Sequence, residues 1–296
     1  MSIFLQILST VVTLGSLYTL VTVGFSLIYA VSGVLHVAQG AVVLESAYVF
    51  VALIQRGAHP LAAAAVSLGA GVTTGVLMNL AVFERLRRRG RVSPVGALIA
   101  SVALLVMGTN LLLLLFGPAT QTLDFLETSA RFHWQGVTVT AVDLVVVSAT
   151  VMVMGAVAWL YHHTRIGMAL RAVADDHEAA LSIGIPLKTI WVIVWSVAGL
   201  VAIVAGIMWG AKSGVQFSLS LIALKALPVL ILGGFESVPG AIVGGLIIGV
   251  AEKVGDVYWA QALGQGIEAW IAYMLALVFL MFRPQGLFGE KIIERV

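Results

Sequence analysis

Nine apolar stretches separated by short polar segments make up most of this chain of 296 residues. They cover residues 3 to 31, 38 to 55, 60 to 83, 95 to 116, 139 to 161, 189 to 210, 220 to 234, 238 to 251 and 267 to 282. An α-helix rises about 1.5 Å per residue, so about 20 apolar residues cross the hydrocarbon core of a membrane. Most of the stretches reach that length and predict an all-α polytopic integral membrane protein with about eight transmembrane helices.

The seventh and eighth stretches are too short to cross separately. Each has about 14 residues and would reach about 21 Å as a helix. The segment G-G-F-E-S-V-P-G, from Gly233 to Gly240, lies between them. We therefore predict a broken or re-entrant helix pair around residues 220–251. Backbone groups freed there need partners inside protein or along a water-filled path. Gly233, Gly234, Pro239 and Gly240 are thus candidates for a translocation path, although the break more simply has a structural role.

Residues 164–188 form the longest polar interruption that still carries helix signals. Asp175 followed three residues later by Glu178 is a carboxylate variant of the capping box and predicts the start of a helix. Gly184 and then Pro186 predict its end, about two turns later. A disordered linker would need no such caps.

A second short helix is predicted immediately before this one. Ile166, Leu170 and Val173 recur at helical spacing beside Arg165 and Arg171, which is the pattern of an amphipathic helix. Two small helices outside the bilayer imply that this stretch contacts a partner.

Composition agrees with a membrane protein and excludes several functions. Apolar residues make up 60% of the chain and charged residues 10%, against about 25% charged in soluble domains. The net charge of +2 and the basic clusters beside apolar stretches indicate topology rather than nucleic-acid binding. The chain has no cysteine. It also has no nucleotide-binding lysine motif, zinc-protease motif or nucleophile elbow. We expect no catalytic residue and no metal site, and any energy source must lie on another chain.

Three clusters of basic residues predict the orientation, because Lys and Arg accumulate on the cytoplasmic side. The clusters are Arg85, Arg87, Arg88, Arg89 and Arg91; Arg165, Arg171 and Lys188; and Arg283, Lys291 and Arg295. Residues 117–136 are then outside and the C-terminus is cytoplasmic. Between Lys188 and Arg283 the chain crosses four times, or twice with a re-entrant hairpin. Three crossings before Arg85 would place the start of the chain outside, whereas a re-entrant pair around Gly33 to Gly40 would place it inside.

Four ordered segments resemble a known family, the permeases of branched-chain amino acid ABC importers, and specifically the shorter of their two permease subunits. The segments are Thr13 to Ala41, Arg165 to Ile185, Lys225 to Gly245 and Arg283 to Gly289. The second contains E-A-A-x-x-x-G, the pattern by which such permeases dock on their ATPases. The resemblance implies one transmembrane permease domain over residues 1–296, in the bacterial inner membrane. It also implies a homologous second permease subunit, two ATP-binding subunits that carry ATP and Mg, and a periplasmic solute-binding protein. No cofactor would be bound by this chain.

The resemblance makes residues 164–188 an ATPase-coupling loop, whereas the simpler interpretation is an ordinary basic cytoplasmic loop. The caps and the acidic cluster exceed what the positive-inside rule requires, which favours docking. The candidate coupling residues are Arg165, Arg171, Asp175, Asp176, Glu178, Ala179, Ala180 and Gly184.

The first segment departs from the family pattern, which leaves the cargo open. His36 and Gln39 stand where the family usually has Asn and His, and Ala41 stands where it usually has Glu. Urea and short amides are carried by related permeases, so they are alternatives to amino acids.

Glu45 lies inside the second apolar stretch, where a carboxyl group is either functional or packed as a hydrogen-bonded group. We take His36, Gln39 and Glu45 as path candidates. An ion-coupled secondary transporter using Glu45 and the broken helix is the alternative of another class.

Overall fold

A computed structural model of the chain describes residues 2–88, 93–122, 131–134, 137–264 and 266–289. Four of the basic residues used above for orientation, Arg89, Arg91, Lys291 and Arg295, lie outside those ranges. The described residues are almost entirely helical, and each predicted apolar stretch forms helix.

The helices follow one another along the chain with few long connections. Their bounds are α1 Ser2–Ser32, α2 Gln39–Gln55, α3 Pro60–Met78, α4 Glu84–Arg88, α5 Pro94–Phe116, α6 Ala141–His163, α7 Arg165–Asp175, α8 His177–Ser182, α9 Leu187–Ser213, α10 Ile222–Lys225, α11 Leu227–Gly233, α12 Val238–Leu263 and α13 Ile267–Phe282. A π-helical turn, Asn79–Phe83, joins α3 to α4, and a 3-10 helix, Phe217–Leu221, precedes α10.

Six of these helices are long and apolar enough to cross a membrane, and three further apolar segments are shorter. The long ones are α1, α3 with its continuation, α5, α6, α9 and α12; the shorter ones are α2, the segment Phe217–Gly233 and the second part of α13. The prediction of an all-α polytopic membrane protein is confirmed. The sequence interpretation missed one small feature, an antiparallel hairpin of β1 (Arg131–Trp134) and β2 (Val137–Thr140) between α5 and α6.

The first helix defines the two ends of the helix bundle. At its start, the side chain of Gln6 exchanges hydrogen bonds with the backbone of Thr138 in β2, at 3.2 and 2.8 Å. At its finish, the carbonyl of Val31 lies 2.9 Å from a ring nitrogen of His177 in α8. We call these the hairpin end, which carries β1 and β2, and the basic end, which carries α4, α7 and α8.

Contacts at each end show how the later helices run. Gln55 at the finish of α2 donates to Gln121 after α5, at 2.8 Å, and Gln121 pairs with Val215 just after α9, so all three lie at the hairpin end. Lys188 at the start of α9 lies 3.3 Å from Glu84 in α4, so both lie at the basic end. Lys212 at the finish of α9 pairs with Asp143 at the hairpin end. Helices α1, α2 and α3 therefore run between the two ends of the bundle three times before Arg85, and the chain does not return to the basic end directly after the turn from Gly33 to Gly40.

The predicted broken helix pair is half right. The broken segment, Phe217–Gly233, contains one 3-10 helix and two short α-helices. Pro228 has no N–H for the carbonyl of Leu224, and that carbonyl instead accepts from Tyr273 Oη of α13 at 2.9 Å. The second half is not short, because α12 continues unbroken for 26 residues.

The extension of α12 has a physical cause that the apolar stretch does not reveal. Glu252, Lys253 and Asp256 follow the end of that stretch, and each has a polar partner within the protein. Glu252 is 4% exposed and accepts from Tyr18 Oη of α1 at 2.7 Å. Lys253 pairs with Asp256 at 2.6 Å. Because these polar side chains have partners within the protein, α12 continues past Glu252 to Leu263. The chain therefore runs between the two ends of the bundle four times after α8, through α9, the broken segment, α12 and α13.

Close backbone contacts at glycines hold the central helices together. Helix α1 is mostly buried, and α9 packs against α1, α2 and α3. A Cβ atom at Gly206 of α9 would lie 2.2 Å from the carbonyl oxygen of Val43 in α2. A Cβ atom at Gly249 of α12 would lie 3.2 Å from the carbonyl oxygen of Val11 in α1. Small residues at such positions let membrane helices approach closely.

Candidate functional site

Helix α7 lies directly against the finish of α6. The Thr164 side chain accepts from the Gly167 N–H at 3.0 Å and caps the helix. A Cβ atom at Gly167 would lie 2.2 Å from the carbonyl oxygen of Leu160 and 2.3 Å from that of Tyr161, so only glycine permits this approach. The predicted amphipathic helix is confirmed, since it buries one face and exposes the other.

The two arginines of α7 have different surroundings. Arg165 is exposed, whereas Arg171 is half-buried. The Arg171 guanidinium donates to the carbonyl of Tyr161 and lies 5.5 Å from the centroid of that ring. Arg171 therefore holds α7 against α6, whereas the Arg165 side chain is exposed and could contact a partner.

The cap of α8 is Asp176, so the prediction of Asp175 as the cap is wrong. Asp176 Oδ1 accepts from the N–H groups of Glu178 at 2.8 Å and Ala179 at 3.0 Å. Asp175 is the last residue of α7 and is exposed. These two backbone donors lower the pKa of the Asp176 carboxyl below its ordinary value. The predicted stop is confirmed, because Gly184 has a φ of 84°, which favours glycine.

The outward face of α8 differs from the predicted set of coupling residues. Glu178 and Ala179 are exposed, but Ala180 is only 1% exposed and packs inward. Two apolar residues that the sequence interpretation did not select, Leu181 and Ile183, are 54% and 73% exposed. Both are apolar residues within a polar segment, outside the nine apolar stretches. That unusual position is the sequence signal that could have identified them.

The turn between α1 and α2 places His36 and Gln39 inside the helix packing. His36 is fully buried; its ring centroid lies 4.3 Å from that of Trp195 and 5.7 Å from that of Phe83. Among the described residues neither ring nitrogen has a hydrogen-bond partner. Gln39 donates to the carbonyl of Ala198 in α9 at 2.9 Å. Neither residue lines the cavity beside Glu45 or the cavity beside Pro239.

Glu45 instead faces a cavity of about 330 Å³ between α2, α3 and α5. It is half-buried and accepts from Thr74 Oγ1 of α3 at 2.8 Å. The rest of the lining, which includes Ala41, is almost wholly apolar. The structure thus brings Glu45 and Ala41 to one cavity and leaves His36 and Gln39 outside it.

The Gly233 to Gly240 turn is a close crossing of two backbones at the basic end. A Cβ atom at Gly240 would lie 2.1 Å from the carbonyl oxygen of Gly233, and Gly234 has a φ of 101°. The carbonyls freed at the end of the broken segment are satisfied by the following tail. Leu287 N–H donates to Leu232 at 2.8 Å, and the N–H after it donates to Gly233 at 3.2 Å.

Pro239 lies on a larger cavity, of about 750 Å³, at the basic end. Asp175 of α7, His162 of α6 and Glu236 of the turn share its lining. The structure therefore joins two parts of the chain that the sequence interpretation had assigned separately, the candidate coupling loop and the candidate path turn.

Comparisons with known proteins agree with this architecture. A family model described as "Branched-chain amino acid transport system / permease component" matches residues 7–283. The high-affinity branched-chain amino acid transport system permease protein BraD of Pseudomonas aeruginosa is 27% identical, over 99% of this chain and 98% of its own length. The corresponding LivH of Escherichia coli is 28% identical over the same shares.

A solved structure shares the fold. The chain aligns with a chain of the structure titled "PsaBC from Streptococcus pneumoniae in complex with Fab", with a TM-score of 0.52 and 11% sequence identity. The alignment covers 96% of this chain and 94% of the other. At that identity the likeness concerns the arrangement of helices alone.

Proposed function

Because this chain belongs to the family of branched-chain amino acid transport system permease components, we propose that it is the transmembrane permease subunit of an ATP-driven ABC importer. It is a multi-pass membrane protein and a transport permease rather than an enzyme, and it works with other components of a transport system. The cargo in this proposal is a branched-chain or other amino acid. The membrane is the bacterial inner membrane.

The proposed partners supply what this chain lacks. Two ATP-binding subunits carry ATP and Mg, a second homologous permease subunit completes the path, and a periplasmic solute-binding protein delivers the cargo. The basic end is assigned to the cytoplasm because Arg85, Arg88 and Arg165 gather there. Residues 283–289, which follow α13, lie at the same end, where Leu287 N–H donates to the carbonyl of Leu232.

One observation carries the proposal: the outward face of α8. Glu178 and Ala179 are exposed beside the exposed apolar side chains of Leu181 and Ile183, on a helix capped at both ends. Exposed apolar side chains beside a charge, at the end of the bundle assigned to the cytoplasm, suit a protein partner. We assign this face to contact with the ATPase.

The attachment of α7 and α8 suits them to transmit movement. Gly167 and Arg171 fix α7 to α6, and His177 fixes α8 to the finish of α1. A movement of the ATPase at α8 therefore displaces α1 and α6 rather than bending a loop. Nucleotide and cargo-loaded binding protein must favour different states of the permease pair for such movement to drive transport.

ATP-dependent uptake in liposomes tests the proposal. The chain would be purified with its companion subunits, reconstituted, and given the binding protein, ATP and labelled leucine or urea. We expect ATP-dependent uptake of leucine, and we expect Glu178→Arg to abolish it while the subunits stay associated. Uptake of urea alone would replace the cargo assignment. Uptake by this chain alone, driven by an ion gradient without ATP, would instead establish the secondary transporter.

Cross-linking tests the contact directly, since the chain has no native cysteine. Ala179→Cys is expected to cross-link to the ATP-binding subunit. The matched control is Ala119→Cys, an exposed alanine after α5 at the hairpin end. Functional transporters in which Ala179→Cys cross-links no better than Ala119→Cys would contradict the docking assignment.

A further inference from the structure

A second polar cavity lies inside the chain near the hairpin end. It has a volume of about 360 Å³ and is bounded by α1, α9, α10 and α12. Small-molecule sites in proteins usually fall between about 300 and 1,000 Å³. The cavity contains none of the residues that the sequence interpretation selected.

Three lysines and two acidic residues line this cavity, but two of the lysines are already paired. Lys212 forms an ion pair with Asp143, and Lys253 forms one with Asp256. Lys225 has no ion-pair partner among the residues that the structure describes. It is half-buried at the finish of α10, within the broken segment. An ionisable side chain inside a membrane-crossing segment is costly and marks a functional site by default.

A carboxyl group and a buried donor also belong to the polar part of the lining. Glu252 of α12 is 4% exposed and accepts from Tyr18 Oη at 2.7 Å. Trp209 of α9 is 8% exposed, and its Nε1–H has no acceptor in the described part of the chain. A buried N–H without an acceptor is costly, so a ligand atom that accepts from it would be favoured.

The remaining wall combines aliphatic side chains with the hydroxyl side chains of Thr10, Thr13 and Ser213, and the hydroxyls of Thr10 and Thr13 donate to backbone carbonyls of α1. Leu14 and Leu17 of α1 line the cavity beside Tyr18 and the ring of Trp209. The cavity therefore offers one positive group, one negative group, one N–H donor and an aliphatic surface. A ligand with separate positive and negative groups and an apolar side chain complements all four.

We infer that this cavity binds the cargo as a zwitterionic α-amino acid. Lys225 and Trp209 Nε1–H bind its carboxylate, Glu252 binds its ammonium group, and Leu14 and Leu17 contact its side chain. The inference rests on the proposed function and makes it more specific, because urea or a short amide has no formal charge to engage Lys225 and Glu252. It also places a cargo site within one permease chain.

Direct binding measurements test the inference. The assembled transporter, in lipid nanodiscs and without its soluble binding protein, would be titrated with labelled leucine. The competitors are 3-methylbutylamine, which lacks the carboxylate, and 4-methylpentanoate, which lacks the ammonium group. We expect leucine to bind about tenfold or more tightly than either analogue, since each loses a charge-assisted contact.

Each variant is expected to lose one part of the recognition. Lys225→Met should weaken leucine about tenfold or more and leave 3-methylbutylamine unchanged. Glu252→Gln should weaken leucine similarly and leave 4-methylpentanoate unchanged. Trp209→Phe, which removes the N–H donor and keeps a smaller aromatic ring, should weaken leucine and 4-methylpentanoate more than 3-methylbutylamine. Arg56→Met, which removes a charge at the hairpin end outside this cavity, is the matched control.

The outcomes separate this inference from the proposed function. Wild-type transporter that imports leucine with ATP but shows no saturable leucine binding without the binding protein would overturn the inference alone. So would assembled variants at Lys225 and Glu252 that keep wild-type discrimination between leucine and its analogues. If those two variants fail to assemble, Trp209→Phe decides, and unchanged binding of leucine would again overturn it. Failure of the wild-type complex to import any solute with ATP would refute the proposed function itself, and import of urea alone would replace the cargo assignment and with it this inference.

Discussion

Replacement of Gly167 by alanine should uncouple the transporter while leaving it assembled. The added Cβ atom would lie 2.2 Å from the carbonyl oxygen of Leu160 and 2.3 Å from that of Tyr161. Ordinary contacts begin near 3.4 Å, so α7 must move about 1.2 Å from the finish of α6. Both obstacles are backbone atoms, and no side-chain rotation relieves the clash.

The energetic cost of this change is moderate. Overpacking costs about 1–3 kcal/mol, and alanine regains about 1 kcal/mol over glycine within a helix. The net cost, up to about 2 kcal/mol, lowers the ratio of correctly seated to displaced α7 and α8 by up to about thirtyfold. The six long helices do not depend on this contact, so the subunits are expected to purify together.

The assay is the ratio of leucine imported to ATP hydrolysed in reconstituted liposomes. We expect Gly167→Ala to lower this ratio several-fold with ATP hydrolysis retained. Gly155→Ala is the matched control on the same α6, because its added Cβ atom has no neighbour within 4 Å. A ratio for Gly167→Ala equal to that of Gly155→Ala would refute the argument that seating of α7 against α6 transmits the movement.

Two further predictions concern the cap and the central packing. Asp176→Ala should speed amide hydrogen exchange in α8 and Asp175→Ala should not, because only Asp176 accepts from the first turn of α8. Since those bonds lower the pKa of Asp176, the protection is present above its ordinary pKa of 3.8 and is lost as the pH falls through the lowered value; equal exchange in both variants would contradict this. Gly206→Ala should destabilise the protein by about 1–3 kcal/mol, seen as a lower thermal midpoint, because its Cβ atom would meet the carbonyl of Val43 at 2.2 Å. Gly69→Ala, with no neighbour within 4 Å, should not lower that midpoint.

The sequence predicted the helices well because lipid imposes a simple rule on each one. A membrane-crossing helix needs a long apolar run, and its ends are marked by polar residues, proline or glycine. Gly184 is an example, since a glycine in the left-handed conformation is a common way to end a helix and turn the chain. Such features depend on a few neighbouring residues and therefore can be detected without tertiary information.

Features that depend on distant partners were missed. Asp175 and Asp176 present nearly the same capping pattern, and which one caps α8 depends on where packing against α6 ends α7. Helix α12 extends past Glu252 because Tyr18, distant in sequence, accommodates that carboxyl group. Ala180 is buried because α8 lies on the bundle, which the E-A-A pattern does not indicate. Lys225 went unnoticed because its significance lies in the cavity, and the cavity is formed by four helices.

The broken segment, Phe217–Gly233, also constrains how the protein enters its membrane. As an isolated element it would bring Lys225 and unsatisfied backbone groups such as the carbonyl of Leu224 into hydrocarbon, which is unfavourable. The partner of that carbonyl, Tyr273, is synthesised only after another complete crossing helix. We therefore expect the segment to enter the hydrocarbon only after α12 and α13 have been synthesised. Until then, contacts with α1, α2 and α9 would keep its polar groups away from lipid. Membrane insertion of this chain is then not a series of independent events, and its last three crossings are expected to settle as one unit.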